Sequence, residues 1–167
     1  MMNLQIRLIR HDDIAAIVRL SLAAWEPVFV SFAQIMGSDI YPIIYPDWLT
    51  SQSAAVEAIC QDEKMIVWVA EVDGSVVGFL AYELNHEEQT GEVQMLAVHP
   101  DYQNREIGTT LNHFALEKMR ERGMKVAVVG TGGDPGHAPA RRSYEKAGYT
   151  PLPLVRYYKH LSVDGSQ

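Results

Sequence analysis

From Met65 to Leu84 the chain reads MIVWVAEVDGSVVGFLAYEL. Two apolar, β-branched runs flank Asp73-Gly74, the kind of dipeptide that tolerates the positive φ angles of a tight two-residue turn. An antiparallel hairpin is therefore predicted, and a lone two-stranded hairpin is not stable in water. The rest of the chain must extend this sheet and cover it. GEVQMLAV (Gly91 to Val98) reads as a third strand ended by Pro100, and LQIRLI (Leu4 to Ile9) alternates as an N-terminal one. KVAVVGT is apolar enough to be a strand buried on both faces, and LPLVRYYKHL reads as a final strand.

Between these lie the helices. Asp12 or Asp13 is placed to cap a helix with Ile14, Ile17, Val18 and Leu22 on its apolar face. Trp25 to Met36 is aromatic-rich and interrupted by Pro27, so it reads as less regular, and Gly37 to Trp48, with two prolines, reads as a loop. Asp47 to Cys60 is predicted helical. Ile107 to Arg122 is amphipathic, with Ile107, Leu111, Phe114, Ala115 and Met119 on one face and Gly123 as the stop. Pro139 to Ala147 forms a short helix closed by Gly148. The order is β, helices, then β-β-β-α-β-α-β, a mixed α/β (α+β) sheet with helices packed against it. The 167 residues suit one domain, placed at 1–161, with 162–167 as a frayed, disordered tail.

The formal net charge of −7 argues against general binding to a nucleic-acid backbone and mildly favours cationic partners. No run of about 18 apolar residues predicts a membrane span, and the N-terminus lacks the long apolar stretch of a signal peptide. The single cysteine, Cys60, makes no internal disulfide and reads as a small helix hydrophobe, which suits the cytoplasm. The histidines show no metal-ligand spacing, and no nucleophile elbow is present, so neither a metal site nor a hydrolase triad is expected.

Three places carry candidate chemistry. YQNREIGTT (Tyr102 to Thr110) turns from a strand end into a helix. First-turn amides lack intrahelical acceptors and the helix dipole favours an anion there, typically a phosphate. The glycine spacing fits neither a Walker loop nor a dinucleotide fingerprint. Tyr144 lies on the short helix, sharing a face with Ala140 and Arg141, with His137 just before its start. A phenol there is able to protonate a leaving thiolate, and is equally an ordinary core tyrosine. Glu92 opens the third strand, as a candidate proton acceptor or a solvated carboxylate.

Together, EVQMLAVHPDYQNREIGTTLNHFALEKMRERG and the later HAPARRSYEKAGY resemble the GNAT superfamily of acyl-CoA-dependent N-acetyltransferases. The family's pyrophosphate turn, R/Q-x-x-G-x-G/A, corresponds to Gln103-Asn104-Arg105-Glu106-Ile107-Gly108, and its late signature to His137, Ala140, Ser143-Tyr144 and Gly148-Tyr149. The resemblance implies a mostly antiparallel central sheet whose two parallel strands splay apart around the pantetheine arm. It implies acetyl-CoA as co-substrate and an amine, on a small molecule or a peptide, as acceptor. Leu96, Ala97 and Val98 would line the arm; Gln103, Asn104, Arg105, Glu106, Ile107, Gly108 and Thr109 would hold the pyrophosphate; His137, Ala140 and Arg141 would border the cofactor. Tyr144 would be the general acid, and Glu92 matches a position used as general base in some members.

This chain departs from the family pattern at Glu106 (for glycine), at His137 (for asparagine) and in the long, glycine-rich GTGGDPG connection. His137 is left as a cofactor contact, a base or a helix cap, and a water chain remains a further route for the proton. Acceptor selection would fall to Trp25–Trp48 and Arg156–Tyr158, where aromatic side chains and Glu26, Asp39 or Asp47 could receive a cation, or simply pack. A homodimer, pairing through the final strand, is a further possibility. The alternative from another class is a non-catalytic acyl-CoA sensor, which would have no need of Glu92 or Tyr144.

Overall fold

The computed structural model describes residues 2–162. Its sheet contains β1 (Leu4–Leu8), β2 (Ile66–Val72), β3 (Ser75–Asn85), β4 (Thr90–Val98) and β5 (Val126–Val129), in the spatial order β1-β2-β3-β4-β5. The first four are antiparallel to their neighbours, and β5 runs parallel to β4. The predicted hairpin joins β2 to β3, with Asp73 and Gly74 at φ 49° and 82°.

Side chains alternate across the sheet and divide the core in two. On one face α3 (Ile107–Glu121) buries Ile107, Leu111, Ala115 and Met119 against Leu80, Tyr82 and Val93. On the other, α1 (Ile14–Ile44) and α2 (Trp48–Gln61) place Ile17, Leu20 and Val56 over Val67, Val69 and Phe79. α4 (Ala138–Lys146) packs beside α3. With its preceding turn, α1 is long and apolar enough to cross a bilayer by length and composition alone; here Ile17 and Leu20 are buried against the sheet.

Three expectations are corrected. Trp25 to Met36 is regular helix despite Pro27, and most of the expected loop after it is helical up to Ile44. Only Gly37 leaves the helical region, at φ 71° and ψ −179°. Thirteen residues of straight helix would separate two side chains by about 20 Å, yet the rings of Phe32 and Tyr45 stack at 5.5 Å. The chain therefore doubles back at Gly37, and aromatic stacking secures the return in place of the lost helical bonds. KVAVVGT is not buried on both faces: β5 is a four-residue edge strand with Val126 and Val128 55% and 41% exposed. The final strand does not form. Residues 151–162 have no regular secondary structure, and Leu152, Leu154 and Tyr157 are exposed. Among the described residues no strand edge takes the segment up, and pairing of copies through a formed final strand loses its basis. Residues 163–167 of the expected tail lie outside the described residues.

Candidate active site

The parallel pair separates early. β4 and β5 are in register from Thr90–Val126 to Val93–Val129, and the pairing ends there. At that point β4 carries an extra residue, because Met95 faces Ala81 and Val93 faces Tyr82, leaving Gln94 unmatched. Such a bulge bends its strand and increases the local twist, and β5 itself ends at Val129, so β4 runs on beyond it. Leu96, Ala97 and Val98 lie beyond the separation, without a β5 partner. Ala97 and Val98 are buried and Leu96 half-buried. The Val98 carbonyl accepts from Gln103 Nε2 at 3.0 Å, which ties the turn to the strand end.

That turn leads into α3. Asn104 and Glu106 adopt positive φ, 59° and 63°. Thr110 N donates to Glu106 O at 2.8 Å, while the amides of Ile107, Gly108 and Thr109 have no protein acceptor among the described residues. Ile107 is buried and anchors the turn. Three free amides at a helix start, beside the separated strands, fit an anionic diphosphate. A Cβ on Gly108 would lie 3.6 Å from Ser143 Oγ and 3.8 Å from Val98 Cγ2, ordinary contacts, so internal packing does not demand glycine there. Arg105 is exposed, with its guanidinium 5.3 Å from the centre of the Tyr102 ring.

Glu106 does not cap the helix. Its carboxylate accepts from Lys146 Nζ of α4 at 2.5 Å, and both side chains are largely exposed. The family's glycine has a conformational reason, since this position is left-handed and an L-residue is disfavoured there by about 1–2 kcal/mol. Glu106→Gly exchanges that strain for backbone entropy and a weak surface ion pair. The expected result is stability equal to wild type or higher by up to about 1 kcal/mol, with undiminished CoA affinity, read by urea unfolding and calorimetry. A tenfold loss of CoA binding would place the Glu106–Lys146 pair within the site.

On α4 the Tyr144 ring is buried and meets Tyr149 edge-on at 5.8 Å. Burial, and then the neighbouring Tyr149, push the Tyr144 phenol up to about 12. Its hydroxyl has no hydrogen-bond partner among the described residues. Asn112, fully buried on α3, donates to Ser143 Oγ at 3.1 Å and fixes the helix that carries Tyr144. Ala140 is half-buried on the same helix. Arg141 donates from one nitrogen to Gly132 O at 2.6 Å and to Asp134 O at 2.7 Å, so it braces the preceding loop.

The other predicted residues separate. Glu92 is exposed on β4, opposite Val128 where the strands are still paired, and no side chain among the described residues binds its carboxylate. Asp47 is occupied as the α2 cap, accepting from Thr50 N at 3.2 Å and Thr50 Oγ1 at 2.6 Å. The aromatic side chains largely fill one another's space: Phe29 stacks on Trp48 at 4.4 Å, and Phe32 on Tyr45. Cys60 is half-buried on α2, and burial pushes its thiol up to about 11, the profile of an inert residue. Among the described residues, no group of three or more His, Cys, Asp or Glu side chains is placed to hold a metal ion.

Two residues went unnoticed in the sequence. Ser31 on α1 and Asp134 in the glycine-rich loop meet His137, with Ser31 Oγ donating to Asp134 Oδ2 at 2.6 Å and His137 Nδ1 bonding Asp134 Oδ1. Only the Asp-Pro pair at 134–135, a common helix-start signal, marked this place.

Residues 33–149 match the acetyltransferase (GNAT) family. The chain belongs to that family. This GNAT acetyltransferase is 31% identical, over 134 residues, to an uncharacterized N-acetyltransferase of Archaeoglobus fulgidus, covering 77% of this chain and 82% of the relative. It is 34% identical over 87 residues to the mycothiol acetyltransferase of Sanguibacter keddieii, covering 49% of this chain but only 27% of that longer protein. Among solved structures, a GNAT-family protein from Desulfovibrio desulfuricans superposes with a TM-score of 0.68 at 18% identity, covering 92% of this chain and 88% of the other. The PaiA N-acetyltransferase of Thermoplasma acidophilum, solved with coenzyme A, gives 0.65 at 17% identity over 89% and 91% of the two chains. These likenesses match the mixed, mostly antiparallel sheet of this GNAT protein.

Proposed function

We propose that this protein transfers the acetyl group of acetyl-CoA to a primary amine of a small molecule, by direct attack of the amine. The observation that carries the reading is the juxtaposition of the β4–β5 separation with the three free amides at the start of α3. Acetyl-CoA would supply the thioester. Residues 96–98 would border its extended arm, and the amides of Ile107, Gly108 and Thr109 would receive its diphosphate. Arg105 would add positive charge beside that turn, which matters in a chain of net charge −7, whereas the charge of Lys146 is offset by Glu106.

Tyr144 is the residue we assign to proton donation. Its phenol is buried and kept protonated, and its hydroxyl has no partner among the described residues, so it is available to a departing thiolate. The amine must lose a proton to attack, and Glu92 and His137 are the candidate acceptors. Holding both substrates in one cleft removes the need for a covalent enzyme intermediate. A small-molecule acceptor is favoured over a peptide by the relatives named for mycothiol. The absence of a membrane or nucleic-acid partner, and a cytoplasmic setting, go with this reading.

The test is release of CoA thiol from acetyl-CoA in the presence of polyamines, amino acids, aminoglycosides, amino sugars and short peptides. Turnover with at least one small amine is expected. CoA binding without turnover across the panel would favour the sensor instead, and no CoA binding would overturn both.

A further inference from the structure

Asp134 is held more fully than a helix cap requires. Its Oδ2 accepts from Gly136 N at 3.0 Å, which is the capping bond, and also from Ser31 Oγ of α1 at 2.6 Å. Its Oδ1 faces His137 Nδ1. The two side chains are only 9% and 16% exposed. Burial favours the neutral acid, but the hydrogen bonds from Ser31 and His137, the His137 charge and the Gly136 amide outweigh it and hold the Asp134 carboxyl below its ordinary value.

The unusual loop is built around this pair. A Cβ on Gly132 would lie 2.4 Å from Asp134 Oδ1 and 2.5 Å from His137 Nδ1, and one on Gly136 would lie 2.9 Å from Val28 Cα. Glycine at both positions lets the loop close over the carboxylate and lie on α1. Arg141 ties the loop carbonyls from below. On its other side the His137 ring packs against Phe32 at 5.6 Å.

An ionised carboxylate at Nδ1 makes that nitrogen the N–H donor and leaves the Nε2 lone pair as the proton acceptor. His137 is the N-cap of α4, at the end of the turn Pro135–His137, and stands seven residues before Tyr144. We infer that His137 is the proton acceptor for the amine, with Asp134 and Ser31 as its positioning residues, in preference to Glu92, which no side chain among the described residues orients. The inference rests on the acetyl-transfer reading above.

The proton count closes. The ammonium gives one proton to His137 Nε2, which passes it to solvent. The neutral nitrogen forms the C–N bond as the C–S bond breaks, and Tyr144 protonates the leaving sulfur. The nitrogen's surplus proton then restores the Tyr144 phenol. The net products are the acetamide, CoA thiol and one proton.

The experiment compares wild type with His137→Gln, Asp134→Asn and Glu92→Gln, using acetyl-CoA and the best amine from the panel. Turnover is followed against pH, CoA affinity by calorimetry, and folding by thermal melts. The titratable and charged groups around the ring are Asp134, Arg141 and, beyond Phe32 on α1, Tyr45; none but His137 is changed in the key variant. We expect His137→Gln to lower kcat by about 10²–10⁴-fold and to abolish the acidic limb of kcat/KM, with CoA affinity within about twofold. Asp134→Asn should lower kcat by at least about tenfold and move that limb, which a purely structural clip would not do. His137→Asn, retaining the residue type of the family motif, serves as a second variant if the glutamine destabilises the loop.

Independently of turnover, long-range ¹H–¹⁵N spectra should show the neutral His137 ring as the Nδ1–H tautomer. Failure of every amine overturns the acetyl-transfer reading itself, whereas an Nε2–H tautomer overturns only this inference. So does a His137→Gln enzyme that keeps its rate and its acidic limb while Glu92→Gln loses both.

Discussion

Tyr144→Phe lowers kcat by about two to four orders of magnitude and leaves CoA affinity within about twofold; this is the expected result of a steady-state and calorimetric comparison. The substitution removes one oxygen and leaves the buried ring, which is the part that packs against Tyr149. An interaction used only as the thiolate departs should appear in kcat rather than in ground-state binding. The phenol's titration near 12 also means that a rate limb near neutral pH does not belong to Tyr144. The same shift affects stability. A tyrosine whose folded value is raised contributes stability that is complete below its unfolded value near 10 and is lost as pH rises toward 12. Tyr149 is raised to about 12 as well, by burial. The wild type should therefore lose stability between about pH 10 and 12, and Tyr144→Phe should lose less. A mutant with unchanged kcat would remove Tyr144 from the acid role and leave the alkaline effect as evidence of burial alone.

Much of this site was legible because it rests on short-range rules. The Asp73-Gly74 turn, the amphipathic face from Ile107 to Met119 and the strand-to-helix turn at 103–109 are each set by neighbouring residues. What was missed depends on partners distant in sequence. Pro27 and the 38–48 segment look like breakers locally, but stacking of Phe29 on Trp48 and Phe32 on Tyr45 overrides that preference. The one-residue register offset at Gln94, beside the end of the β4–β5 pairing, is revealed only by the pairing with β3. Ser31 and Asp134, 103 positions apart, carry no joint signal along the chain. KVAVVGT misled in the opposite direction: continuous apolarity suggested double burial, but Ala127 and Val129 pack on the core while Val126 and Val128, on the other face, stay exposed.

Arg7→Met should destabilise the fold by about 3 kcal/mol at neutral pH, lowering Tm by roughly 6–12 °C for a chain of this size. Arg7 donates from both terminal nitrogens to Asp13, at 2.8 and 3.0 Å, and from Nε to Glu71 at 2.8 Å. It thus links β1, β2 and the entry to α1, the helix that brings Ser31 and Phe32 to the site. Asp13 is buried and its other bond comes from Arg10 N at 2.7 Å, so it closes the turn before α1 instead of capping that helix. Removing the guanidinium strands a buried carboxylate, which costs more than the pair contributes over an apolar replacement. The Arg7 hydrogen bonds hold the Asp13 carboxyl below its ordinary value despite the opposing effect of burial. A depressed folded value gives stability that is present above about pH 4, the unfolded value, and is lost as pH falls through the folded one. The gap between wild type and Arg7→Met should accordingly be full at pH 7 and shrink below about pH 4, where Asp13 takes up a proton in the mutant at no further electrostatic loss. Urea unfolding at pH 7 and pH 3.5 measures both. A gap under about 1 kcal/mol at pH 7, or one that widens in acid, would mean that the triad is a screened surface pair and that α1 is positioned by its apolar face alone.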